Sequence, residues 1–105
     1  MALALVGLVY EETARLPKEE KYGLQAQMRR AAVRILSCIA EGWGRGIGKD
    51  CARFLRIARG SLYELMSQAE VCRELQYPGD WQAVLGKGPG LRRLIHAMIR
   101  RQVSP

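Results

Sequence analysis

Between Tyr22 and Gly48 the chain reads YGLQAQMRRAAVRILSCIAEGWGRGIG, and its apolar residues Leu24, Met28, Ala32, Ile35 and Ile39 recur at steps of four, four, three and four. That spacing puts all five on one face of a helix running from about Lys21 to Glu41, and it excludes a strand, whose side chains alternate with period two. Arg30, Arg34 and Glu41 fall on the opposite side, with Arg29 on a flank. A helix with one apolar stripe owes its stability to burying that stripe, so the segment demands partner helices. Gly42, Gly44, Gly46 and Gly48 follow and are expected to end it, since glycine accepts the left-handed conformation of a C-cap.

The same grammar recurs downstream. A third helix, about Lys49 to Leu75, carries a core stripe of Cys51, Phe54, Leu55, Ala58, Leu62, Leu65, Met66, Ala69 and Cys72, with Arg53, Arg56, Gly60 and Tyr63 opposite. Asp50 in its first turn suits the positive end of the helix dipole. Gly60 costs about 1 kcal/mol against alanine in a helix interior, and the close approach of another backbone is the most economical reason for it. Ile57, Val71 and Leu75 form a thinner second stripe, which implies a second packing partner. Ile57, Gly60, Tyr63 and Val71 are therefore the candidate contacts between subunits.

The remaining segments are shorter. Ala2 to Leu16 reads as a helix with Leu5, Leu8, Val9 and Ala14 on its apolar side, uncapped at its start and stopped by Pro17. Pro17 to Lys21 is a charged turn. Tyr77, Pro78 and Gly79 break the chain, Asp80 to Leu85 makes a short turn of helix, and GKGPG from Gly86 to Gly90 reads as a linker. The last helix, Leu91 to about Gln102, packs through Leu91, Leu94, Ile95 and Met98, and carries Arg93 and Arg100 outside with Arg92 and Arg101 nearby. With no strand, internal repeat or low-complexity tract, residues 1–105 make one all-α domain, and an up-down four-helix bundle is the simplest way to bury four stripes.

Little here supports chemistry. Histidine occurs once, at His96, on the flank of the terminal helix, so no histidine-based triad or dyad stands out, and Cys38, Cys51 and Cys72 lack the spacing of a metal site. The cysteines read as small hydrophobes in a reducing compartment. GWGRGIGKD resembles a phosphate loop only superficially: Trp43 stands where a Walker loop needs its first glycine, Asp50 follows Lys49, and a helix precedes it. A weaker reading has the start of the third helix, with Arg45 and Lys49, receive a phosphate; an ordinary interhelix loop is the favoured one. The apolar run Ala2 to Val9 is too short to span a bilayer and is followed by Glu11 and Glu12, so a cytoplasmic protein without a membrane partner is expected. No cofactor or metal is expected either.

Charge points elsewhere. Lys and Arg number 17 against 10 Asp and Glu, for a net +7, and 13 of the 17 cations are arginine. Arginine is the better bidentate partner for phosphate, so the balance favours a polyanion, although a basic surface also serves solubility. At 105 residues a monomer would leave much apolar surface wet, which favours oligomerisation.

Several of these residues form a pattern. Pro17, Tyr22-Gly23-Leu24, Gln27, Arg29-Arg30-Ala31-Ala32, Ile35, Ile39-Ala40-Glu41-Gly42, Gly44-Arg45, and then Phe54-Leu55, Ile57-Ala58, Gly60-Ser61-Leu62 and Glu64-Leu65 occur as two ordered blocks. Over about Pro17 to Tyr77 the chain resembles the four-helix-bundle family that includes the proteins encoded by intervening sequences of 23S ribosomal RNA genes. Relatives of that family include the accessory variability determinants of diversity-generating retroelements. The resemblance implies a homopentameric barrel of bundles with a basic surface. In the retroelement branch it implies association with a reverse transcriptase and with nucleic acid, in support of RNA-templated mutagenic cDNA synthesis. The family commonly has Ser-Ile-Pro-Ser-Asn where this chain has Arg34-Ile35-Leu36-Ser37-Cys38, so the second helix is expected to be straighter and its basic face stronger.

The leading expectation is a non-enzymatic, oligomeric accessory protein that binds an RNA or DNA backbone and a reverse transcriptase. Arg29, Arg30, Arg34, Arg45, Lys49, Arg53, Arg56, Arg93 and Arg100 are its candidate phosphate contacts. The alternative is a structural homo-oligomer of the intervening-sequence type, whose arginines pair with Glu41, Glu64 and Glu70 across subunit interfaces.

Overall fold

The computed structural model describes residues 1–103, and every regular element among them is helical. In chain order these are α1 (Ala2–Thr13), α2 (Leu24–Gly44), α3 (Lys49–Glu74), the short α4 (Trp81–Gly86) and α5 (Gly88–Val103), with a 3-10 turn at Lys18–Glu20 between the first two. The four long helices run up and down, as their stripes predict.

The α2–α3 hairpin is the frame. At about 1.5 Å per residue its 21 and 26 residues make rods of roughly 31 and 39 Å, within a molecule of 48 × 22 × 18 Å. Met28, Ala32 and Ile35 of α2 meet Leu55, Leu62, Leu65 and Ala69 of α3 in the buried core. Cys72 and Met28 touch sulfur to sulfur at 3.7 Å, and burial pushes the Cys72 thiol up to about 11. Cys51 is buried as well, whereas Cys38 is only half-buried; all three are free thiols.

The outer helices divide the hairpin between them. α1 lies antiparallel on the start of α2, where Gln25 Nε2 donates to the Thr13 carbonyl at 3.0 Å. α5 lies antiparallel on the start of α3, and Gln102 Oε1 accepts from the Gly48 N–H at 3.1 Å. They meet where the Met1 methyl comes within 3.1 Å of the place a Cβ on Gly90 would take. Beyond α3, α4 is fastened by its Asp80 cap to Ala83 N, by Trp81 Nε1 to the Tyr77 carbonyl, and by the buried Glu12 carboxylate, which accepts from Asp80 N at 2.8 Å.

Several boundaries differ from the sequence reading, each for a physical reason. α1 stops at Thr13, whose hydroxyl turns back to the Val9 carbonyl at 2.6 Å; Ala14 is exposed and Leu16 is buried from the turn instead. α2 begins at Leu24, where Glu20 Oε1 accepts the first N–H at 3.1 Å while Glu20 Oε2 accepts from the Tyr77 hydroxyl at 2.8 Å. It then continues through Gly42 and Gly44. The chain turns at Gly46 and Gly48, whose φ values of +83° and +118° suit glycine.

The glycine-rich 86–90 stretch is no linker. Gly88, Pro89 and Gly90 form the first turn of α5, where proline's missing N–H costs nothing. In that helix Leu94 stays exposed, and Ile99 is buried in its stead. The second stripe of α3 finds no partner among the described residues: Ile57 is 40% exposed, Val71 44% and Leu75 51%. No helix among the described residues is long and apolar enough to cross a membrane.

Candidate nucleic-acid interface

The packing of α1 on α2 gathers three of the expected arginines. Arg29, Arg30 and Arg34 surround a shallow groove of about 520 Å³, with Tyr10 of α1 and Ala26 and Val33 of α2 completing its walls. Positions 26, 30, 33 and 34 share the face of α2 turned from the core, so the apolar stripe that builds the bundle also fixes where these cations point. Among the described residues no carboxylate lines the groove.

Arg29 differs from its neighbours. Its guanidinium lies 4.5 Å from the Tyr10 ring centroid, its Nε donates to Thr13 Oγ1 at 2.9 Å, and its Nη2 donates to the Tyr10 carbonyl at 3.2 Å. Those bonds hold it in place between α1 and α2. Arg30 and Arg34 are exposed and form no ion pair among the described residues. Tyr10 and Val33 were not among the candidates from sequence. The available signal was that Tyr10 is an aromatic residue lying off the Leu5–Val9 stripe.

A second group sits at the hairpin turn, where Arg45, just past the end of α2, and Arg53 of α3 approach the Phe54 ring at 5.3 and 4.6 Å. Arg45 is also bound to Glu41 at 3.1 Å. Exposed Lys49 opens α3 at the same end. In this loop the Gly48 N–H is held by Gln102 Oε1 and the Arg45 side chain is turned to Glu41 and Phe54.

The third group lies between α3 and α5. Tyr63 Oη and His96 Nε2 stand 3.5 Å apart. Burial lowers the His96 pKa below its ordinary value, and the positive charges of Arg59, Arg92 and Arg100 lower it further. Arg59 and Arg92, absent from the sequence candidates, thus belong with Arg100. Tyr63 joins this flank, lining an apolar groove of about 360 Å³ with Leu62, Met66, Leu85, Pro89 and Arg92. Arg56 and Arg93 are exposed, on α3 and α5, outside the groove that holds Arg29, Arg30 and Arg34.

Each carboxylate proposed to pair across subunits has a local partner. Glu41 meets Arg45, Glu70 meets Arg73 at 3.6 Å, and Glu64 accepts from Gln68 Nε2 at 3.4 Å. Such exposed pairs contribute little to stability, but they engage acids that Arg30 and Arg34 would otherwise need.

A family model described as 23S rRNA-intervening sequence protein matches residues 1–84. That range takes in the α1–α2 groove and the whole α2–α3 hairpin, and leaves α5 with Arg92, Arg93 and Arg100 outside. None of the curated proteins matches this chain.

Proposed function

The chain belongs to the 23S rRNA-intervening sequence protein family, and from that premise we propose that it is a non-enzymatic homo-oligomer that binds the phosphate backbone of nucleic acid. The observation that carries this reading is the α1–α2 groove, with Arg29, Arg30 and Arg34 around it and no carboxylate among its lining residues. A net charge of +7 per chain, multiplied in an oligomer, supplies the long-range attraction. The exposed Ile57–Val71–Leu75 stripe supplies an apolar surface for self-association. A homopentameric barrel is the assembly the resemblance implies, and a reverse transcriptase is the protein partner it adds.

Phosphate contacts of this kind position a nucleic acid without reading its bases, so recognition by shape is expected. The test is the salt dependence of RNA binding. Each phosphate neutralised releases counterions, so the logarithm of affinity falls linearly with the logarithm of salt concentration, by about 0.7 per contact for a single strand. The double charge reversal Arg30→Glu, Arg34→Glu should flatten that slope and weaken binding while the oligomer stays intact. Disassembly of the oligomer by the same variant would instead favour a structural role for these arginines.

A further inference from the structure

The α1–α2 groove contains more than a phosphate site needs. Cations alone would suffice to hold a backbone, yet Tyr10, Val33 and Ala26 stand among the three arginines. Tyr10 is 42% exposed and Val33 39%, so the wall of the groove offers an aromatic and an aliphatic residue to solvent. Arg29 is fixed over the Tyr10 ring by its two hydrogen bonds, which holds ring and guanidinium as a preformed stack.

A duplex presents its sugar-phosphate backbone to such a surface and keeps its bases stacked inside, so it would leave the apolar wall uncovered. An unpaired strand offers both a phosphate and a base face, and bases stack on aromatic rings and on guanidinium planes. The groove volume of about 520 Å³ suits a single extruded residue better than a helix. We infer that this groove takes single-stranded RNA or DNA, with one unpaired base lying against Tyr10 and Val33 and the adjoining phosphates on Arg30 and Arg34. This inference rests on the reading of the protein as a nucleic-acid backbone binder and names the form of nucleic acid it takes.

The probe is an oligoadenylate, free and annealed to oligouridylate, each carrying one 2-aminopurine whose fluorescence falls when it stacks. The free strand should bind about tenfold more tightly than the duplex, and its 2-aminopurine should be quenched on binding, as one base stack on an aromatic side chain would give. Tyr10→Ala should remove the preference and the quenching, and Tyr10→Phe should retain both. Helical content and melting temperature identify a variant that fails to fold, in which case quenching with the unaltered protein decides alone. Equal, salt-sensitive affinity for the two forms without quenching overturns the stacking proposal and leaves the backbone-binding reading standing. No salt-sensitive binding of either form overturns both.

Discussion

Arg29, Arg45 and Arg30 are the same residue type in three different electrostatic situations. Arg29 is anchored by the Thr13 hydroxyl and the Tyr10 carbonyl, Arg45 is matched to Glu41, and Arg30 faces solvent. Sequence spacing puts a side chain on a face, but these differences arise from residues 16 to 19 positions away in the first case and four in the second. His96 offers a direct report on one basic flank because it is the only histidine in the chain. Burial and the cations Arg59, Arg92 and Arg100 hold its pKa below the ordinary 6.5, keeping the imidazole neutral at neutral pH. A phosphate bound on that flank adds negative charge, favours the imidazolium and must raise the pKa. Titration of the His96 ring resonance by NMR, with and without saturating RNA, should show this upward shift. An unchanged titration places the bound strand away from this flank.

At the level of the element, the hairpin depends on how closely α2 and α3 approach near their turn. A Cβ on Gly42 would stand 3.2 Å from the Cys51 carbonyl oxygen and 3.4 Å from Phe54 Cβ. Alanine there gains about 1 kcal/mol of helix propensity, while overpacking against backbone costs about 1–3 kcal/mol. Gly42→Ala should therefore destabilise the fold by about 1 kcal/mol, read as a lower denaturation midpoint with an unchanged slope. The same glycine explains one misreading of the sequence. Gly42 and Gly44 look like a helix terminus, yet local propensity cannot distinguish a glycine that ends a helix from one that lets a second helix come close. The core stripes of α2 and α3 were legible because helical period is a local property, and all but the partly buried Leu24, Ile39, Phe54 and Met66 of their predicted members are buried. The groove was legible only in its arginines. Its Tyr10 wall depends on the antiparallel placement of α1, which no spacing within α2 encodes. Glu12 was similarly opaque: it looks like a solvated acid after an apolar run, and it is buried because α4 returns to it across 68 residues.

For the whole molecule, the unresolved balance is between the surface a single chain leaves exposed and the surface an assembly would cover. Ile57, Val71 and Leu75 lie on the side of α3 turned from its core, and Gly60 shares that side. Among the described residues Gly60 has no neighbour: a Cβ there would find no heavy atom within 4 Å. The close approach that a mid-helix glycine suggests is thus absent among the described residues, and a neighbouring copy would supply it. The consequence separates two energies that usually move together. In an isolated chain Gly60→Ala should stabilise α3 by about 0.5–1 kcal/mol, through helix propensity and a less flexible unfolded state, and raise the melting temperature by a few degrees. In an assembly that packs α3 against another backbone at this position, the added methyl holds the helices apart. Sedimentation velocity should then show the variant dissociating at concentrations where the unaltered protein stays assembled. An intact oligomer with a raised melting temperature would remove Gly60 from the interface and leave Ile57 and Val71 to be tested on their own.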